Sequence, residues 1–252
     1  YYATELPVLA RDKGRYVGEA VVAVVAESRY LAEDAVEQIA ITYEPLGDAI
    51  DPSVMVEPGS PLLHEEAGTN VIVTRTFTRG DVEEAMASAP IRVGDTFRMH
   101  RKTPTAMENR GYLAEYDQGR RALTLHSTSQ IPGIVRDALV EMLDLPGNRL
   151  RVVAPDVGGG FGGKGALYPE EILVCIIARQ LGRPVKWLSD RLEDLMTTNQ
   201  AFDEIVEAEL ACDGEGRILG LRAEVIGDVG AYSIYPWTAA IEPVQVVSFL
   251  PG

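Results

Sequence analysis

The run Gly158-Gly159-Gly160-Phe161-Gly162-Gly163-Lys164 constrains this chain more than any other stretch. Five glycines around one phenylalanine cannot settle into a helix or a paired strand without a large loss of backbone entropy. Such a run suits a loop that bends through positive φ, or one whose amides something approaches closely. A tight strand-to-helix connection with no ligand is the plain alternative. One stray glycine pair would fit it; five glycines favour a ligand. Upstream, Leu150–Ala154 reads as a strand leading into the loop. Downstream, Pro169-Glu170-Glu171 starts a helix that Gly182 is placed to end.

Two nucleotide motifs fit the run superficially. Gly158, Gly163 and Lys164 satisfy G-x-x-x-x-G-K, but the next residue should be Ser or Thr to hold magnesium, and it is Gly165. Gly158, Gly160 and Gly163 also satisfy G-x-G-x-x-G, with Asp190 as a later acid. In that fingerprint the glycines open directly into the helix whose N-terminus meets the pyrophosphate. Here Gly165-Ala166-Leu167-Tyr168 intervene. A nucleotide-binding module using Gly158–Lys164 stays as the alternative from another class.

The rest of the chain predicts a mixed architecture. A valine-rich strand over Tyr16–Ala26, a helix capped by Ser28 and a strand over Ile39–Tyr43 form a small unit. Asp51–Asn70 reads as a linker. Strands follow at Val71–Phe77, Ile91–Met99, Tyr112–Tyr116 and Leu123–Ser127. A short helix opens at the capping box beginning with Asp81. Pro132 starts a helix with Ile134, Val135, Ala138, Leu139 and Met142 on one face. Val185–Leu188 is a short strand, and Glu204–Ala211 and Arg217–Ile226 form a hairpin through Asp213-Gly214-Glu215-Gly216. Helices and strands mix without strict alternation, so the fold class is α+β.

Composition narrows the partners. A net charge of −15 disfavours nucleic acid and anionic membrane surfaces. No segment offers the roughly 20 apolar residues of a membrane span. Cys175 and Cys212 lack metal-ligand spacing and suit a reducing compartment. The start at Tyr1-Tyr2 and the end at Phe249-Leu250-Pro251-Gly252 suggest a trimmed expression product or a fragment.

Several motifs in order carry a resemblance. Val152-Val153-Ala154-Pro155-Asp156-Val157 precedes the glycine run; Tyr168-Pro169-Glu170-Glu171, Leu181-Gly182-Arg183-Pro184-Val185-Lys186-Trp187 and Asp190-Arg191-Leu192-Glu193 follow it. Earlier come Leu9-Ala10-Arg11-Asp12, Tyr16-Val17-Gly18-Glu19-Ala20-Val21 and Ala32-Glu33-Asp34-Ala35. Between these groups lie Gly80-Asp81-Val82, Met107-Glu108-Asn109-Arg110-Gly111 and Ser129-Gln130-Ile131-Pro132. Over nearly its whole length the chain resembles large subunits of the xanthine dehydrogenase and aerobic carbon monoxide dehydrogenase family of molybdenum hydroxylases.

The resemblance implies a hammerhead-like α/β domain, of which residues 1–60 are the C-terminal part. Residues 61–252 are then the first part of a molybdopterin-binding domain. It implies a molybdenum–molybdopterin cofactor, in the cytosine dinucleotide form, that hydroxylates a carbon centre or oxidises carbon monoxide with water as oxygen source. Iron–sulfur clusters and FAD would sit on a small and a medium partner subunit, in a cytoplasmic dimer of such protomers. Gln130 would donate to an oxo ligand of the metal. Phe161 and Gly162 would lie beside its apical ligand, the Gly162 amide donating to it and Phe161 walling the substrate channel. Gly159, Gly160, Gly163 and Lys164 complete the cofactor-binding set, with Lys164 anchoring the loop or facing a phosphate. Glu108 with Arg110, and Arg191 with Glu193, would be ion pairs that shape the domain. No side chain here would ligate the metal. Gly165 stands where the xanthine branch has a purine-binding glutamate, which points to carbon monoxide, aldehydes or N-heterocycles. The family's general-base glutamate and the carbon monoxide branch's cysteine loop have no counterpart in these residues, so the chain would be inactive alone. A cofactor-free scaffold domain of the same family is the further alternative.

Overall fold

The structure is a computed structural model that describes residues 2, 4–48, 50–201 and 203–236. The terminal residues Tyr1 and Phe249–Gly252 lie outside that set.

The glycine loop is carried by a four-stranded sheet. Its strands are Gly111–Asp117 (β2), Ala122–Ser127 (β3), Leu150–Val153 (β4) and Val185–Leu188 (β5), in the order β4-β3-β2-β5. β2 runs antiparallel to both β3 and β5, whereas β3 and β4 are parallel. A parallel pair needs a crossover. The helix Pro132–Met142 (α4) provides it, and Pro169–Leu181 (α5) packs on β2, β3 and β5. Alternate residues of β3 turn inward, burying Leu123, Leu125 and Ser127. Leu125 belongs to one buried core cluster with Val135 and Leu139 of α4 and Cys175 and Ala178 of α5. All five are fully buried, and truncating Leu125 to alanine costs about 2–5 kcal/mol at such a site.

The helix ends follow the sequence. Pro132 and Pro169 each occupy a first turn. Gly182 closes α5 at φ 61° with its N–H on Ala178 O, a left-handed position that favours glycine. In α4 the inward stripe is narrower than expected. Val135, Ala138 and Leu139 are buried, but Ile134 and Met142 are 36% and 56% exposed. Ile134 sits a helical step round from the stripe. Met142 is the last helical residue, and the buried side chain at that end is Leu143.

A second sheet joins Ile91–Met99 (β1), Asp203–Cys212 (β6) and Ile218–Asp228 (β7), all antiparallel, in the order β1-β6-β7. The β6–β7 hairpin turns where expected, with the Asp213 carboxylate accepting from the N–H groups of Glu215 and Arg217. The helix Val82–Ser88 (α3) lies against β7, capped by Asp81 accepting from Glu84 N–H.

The N-terminal third departs from expectation. The helix Arg29–Glu37 (α1) forms with Ser28 as its cap. The strands expected at 16–26, 39–43 and 71–77 do not form ladders. Valine-rich composition records only a fit to a pleated, half-buried surface, and a strand also needs a paired neighbour. No described residue supplies that neighbour; isolated bonds such as Ala10 N to Ala20 O, 2.7 Å, take its place. The expected linker 51–70 holds a turn of helix, Pro52–Met55 (α2), and a 3-10 turn at Glu65–Ala67. An unexpected helix, Arg191–Thr197 (α6), begins where Asp190 accepts from Glu193 N–H. Mixed and antiparallel sheets with helices make the chain α+β. No helix among the described residues is long and apolar enough to cross a membrane.

Candidate functional site

The glycine loop leaves the end of β4 and doubles back before α5. Two consecutive turns shape it, Gly163 N–H on Gly160 O at 2.8 Å and Gly165 N–H on Gly162 O at 3.0 Å. Gly159 and Gly162 take φ values of 97° and 88°, which only glycine adopts freely. Phe161 takes 50° and is nevertheless 77% exposed. A large apolar side chain held outward on left-handed backbone is unusual, and such outliers persist where the surroundings over-determine them.

Those surroundings are specific. Gln130, between β3 and α4, donates its backbone N–H to Lys164 O at 2.9 Å. Its side-chain oxygen Oε1 accepts from the N–H groups of Gly162 and Lys164, both at 3.1 Å. Two N–H donors on one atom fix that atom as the oxygen and leave the NH2 end for another acceptor. Gly160 has no room for a side chain, since a Cβ there would stand 2.4 Å from Gln130 Oε1. Gly163 is equally hemmed in, by Pro104 Cγ at 2.5 Å and Thr198 Cγ2 at 2.7 Å. The Tyr168 hydroxyl donates to Gly163 O and accepts from Asn199 N–H.

Lys164 is 3% exposed, with Nζ 2.7 Å from Glu108 Oε2. The same oxygen accepts from Gly158 N–H at 2.8 Å. Partial burial pushes the Glu108 carboxyl upward, but the bonds from Lys164 and Gly158 outweigh it and hold the group below its usual range. In this structure the lysine ties the loop to Glu108. Glu108 does not pair with Arg110 as expected. Glu108 sits in the bend at 107–108 facing the loop, whereas Arg110 enters the core just ahead of β2.

Arg110 is the hub beneath the loop. Its guanidinium lies 4.0 Å from the Tyr168 ring centroid and 5.4 Å from that of Trp187. It bonds Asp194 Oδ1 at 3.1 Å, Glu170 Oε2 at 3.4 Å and the Thr197 hydroxyl. Burial works against its charge, but Tyr112, Glu170, Tyr168 and Asp194 around it raise its pKa above the ordinary arginine value. Beside it Glu171 is fully buried, accepting from Ser127 Oγ at 2.6 Å and Tyr168 N–H at 3.0 Å. Desolvation lifts its carboxyl to about 7. Arg191 and Glu193 do not pair either, because residues two apart on a helix do not face each other. Arg191 instead donates to Ala106 O and Met107 O, both at 2.8 Å.

Sequence reasoning placed Gln130 and Gly159–Lys164, and the structure brings them together. The resemblance implied that the Gly162 amide donates to a ligand; in this structure that N–H donates to Gln130 Oε1 at 3.1 Å. Unused amides lie one step earlier: no described residue accepts from the N–H groups of Gly159, Gly160 or Phe161. Tyr168 and Asp194 were missed as supporting residues, and Glu108 was assigned the wrong partner. Only Asp194 had a readable signal, the Asp190-x-x-Glu193 cap that opens its helix. The nucleotide reading loses its geometry as well. The N-terminus of α5 is closed by Glu171 and buried at Tyr168, and its first turn cannot meet a pyrophosphate.

Comparison with known proteins agrees with this architecture. A curated relative, the nicotine 6-hydroxylase large subunit of Paenarthrobacter nicotinovorans, is 39% identical over 95% of this chain and 29% of its own length. The carbon monoxide dehydrogenase large chain of Hydrogenophaga pseudoflava is 36% identical over 89% of this chain and 30% of its own. The crystal structure of quinoline 2-oxidoreductase from Pseudomonas putida 86 superposes with a TM-score of 0.89 at 38% identity, over 93% of this chain and 30% of that one. The chain thus spans about a third of the length of these relatives. Residues 2–47 match the a/b hammerhead domain of aldehyde oxidase and xanthine dehydrogenase. Residues 63–249 match the molybdopterin cofactor-binding domain, and the chain belongs to that family.

Proposed function

We propose that Gln130 and Gly159–Lys164 form one wall of a molybdopterin site in the large subunit of a molybdenum hydroxylase. The observation that carries this is the clamped carboxamide of Gln130. With Oε1 held by two loop amides, its NH2 group is left to donate to an oxygen ligand of the metal. The donor set of the loop fits such a group. The amides of Gly159, Gly160 and Phe161 lack acceptors, and the buried hydroxyls of Thr103 and Thr198 lack partners. Thr198, and Pro104 next to Thr103, are the neighbours that press on Gly163. Unpaired buried hydroxyls such as these are rare, and a polar cofactor would satisfy them together with the open loop amides.

When bound, the molybdenum–pterin group supplies the oxidation of a carbon centre with water as the oxygen source. The chain supplies fixed N–H dipoles, which stabilise negative charge on oxygen ligands without reorganising. The exposed Phe161 ring bounds the space where substrate approaches. Substrate would be an N-heterocycle, an aldehyde or carbon monoxide. Relatives named for nicotine, quinoline and carbon monoxide support that range, and Gly165 speaks against a purine. Residues 1–60 complete a hammerhead domain and 61–252 open the cofactor domain, in the cytoplasm. Small iron–sulfur and medium FAD subunits accept the electrons, in a dimer of such protomers with the cytosine dinucleotide cofactor. The chain alone is inactive.

Turnover of an N-heterocycle by the complete subunit with its partners, run in heavy-oxygen water, tests this. Label in the hydroxylated product is expected. Label arriving from dioxygen would contradict the reading, and a complex inert toward heterocycles, aldehydes and carbon monoxide would favour a scaffold.

A further inference from the structure

Glu108 lies outside the residues that face the cofactor in the reading above, yet it touches both ends of the loop. Its backbone N–H donates to Gly158 O at 3.2 Å, and its Oε2 accepts from Gly158 N–H at 2.8 Å. The same oxygen accepts from Lys164 Nζ at 2.7 Å. Gly158 and Lys164 are the first and last residues of the run, so one carboxylate closes the loop upon itself. The approach is tight enough that a Cβ on Gly158 would lie 2.6 Å from Glu108 Cβ. Between the clamped ends lies the left-handed backbone of Gly159, Phe161 and Gly162. At Phe161, which has a side chain, such backbone persists only where the surroundings over-determine it. Glu108 is itself steadied, since Arg191 holds the carbonyls of Ala106 and Met107 just ahead of it.

From this geometry we infer that Glu108 is a positioning residue of the site. It holds the loop closed, so that the amides of Gly159–Phe161 and the carboxamide of Gln130 keep their places. It also cancels the buried charge of Lys164, so that the loop presents N–H dipoles and no free cation. The inference rests on the cofactor reading above for its functional consequence, but not for the clamp itself.

The two parts are separable by experiment. Glu108→Ala removes both side-chain bonds. Glu108→Gln keeps an acceptor for Gly158 and Lys164 and loses only the charge. In the complete subunit prepared without cofactor, exchange of the hydrogen-bonded amides of Gly158, Gly162, Gly163 and Lys164 should rise about tenfold or more in Glu108→Ala, the size expected for losing charge-assisted bonds. In Glu108→Gln it should stay within about threefold of wild type, because the acceptor is retained. Molybdenum content of the complex prepared with cofactor should fall in the same order. Unchanged exchange in Glu108→Ala, or equal acceleration in both variants, would overturn the clamp. Faster exchange with undiminished molybdenum would reduce Glu108 to a structural contact and overturn its role at the site. Molybdenum missing from the wild-type complex would sink the cofactor reading instead, while the exchange data still decide the clamp.

Discussion

Gly160→Ala separates the site from the fold. An added Cβ would stand 2.4 Å from Gln130 Oε1, 2.5 Å from its Cδ and 2.8 Å from its Cγ. Carbon atoms pack at about 3.5 Å or more, so the Gln130 side chain must retreat by about 1 Å. Its oxygen now sits 3.1 Å from Gly162 N and from Lys164 N. A further 1 Å, roughly, takes both contacts beyond hydrogen-bonding range. The fold should lose little. Gly160 is not in left-handed backbone, the displaced group is the far end of a flexible side chain, and each of the two bonds, one exposed and one half-buried, is worth about 0.5–1.5 kcal/mol. Function should lose much, because a donor misplaced by about 1 Å costs on the order of a hundredfold in rate. The assay is kcat, KM and thermal midpoint of the complete subunit with its partners. The expected result is kcat down about a hundredfold with the midpoint lowered by only a few degrees. A kcat within about threefold of wild type would refute the placement of Gln130. Collapse of the fold would refute the claim that only its side chain gives way.

Two further outcomes concern stability. In Gly163→Ala the new Cβ meets the rigid ring of Pro104 at 2.5 Å and the methyl of Thr198 at 2.7 Å. Overpacking against such neighbours should cost about 1–3 kcal/mol, read as a lower urea midpoint; an unchanged midpoint would show that the loop has slack. Burial lifts the Glu171 carboxyl from 4.5 to about 7, so the folded state keeps a proton that the unfolded chain releases. That contribution is complete below the unfolded value and is lost as pH rises through the folded one, at about 3 kcal/mol in total. Glu171→Gln carries no proton to lose. Its urea midpoint should fall less than wild type between pH values of about 5 and 8, and parallel falls would show that Glu171 is not the group responsible.

The cofactor domain was largely legible because its signals are local. Pro132, Pro169 and Gly182 mark helix ends by backbone chemistry that needs no partner. The Gln130–Gly162 hydrogen bond was reached neither by local rules, which join no residues 32 apart in sequence, nor by the resemblance. Local rules failed wherever the partner was distant. The valine-rich run at 16–26 has strand character but no ladder, and Glu108 finds Lys164 rather than Arg110. Both outcomes depend on which segments tertiary packing brings alongside. The helix at Arg191–Thr197 was readable from the Asp190 cap, and it is through Asp194 that this helix reaches Arg110. The resemblance assigned Gln130 and Gly162 to one site but not the hydrogen bond between them.

The molybdenum and pterin content of the complete, active subunit purified with its partners tests the central claim most directly. The account predicts both groups in stoichiometric amount, with Gln130→Ala lowering occupancy or altering the metal's spectroscopic signature. An active complex lacking molybdenum, or a Gln130→Ala variant indistinguishable from wild type in occupancy and signature, would contradict it.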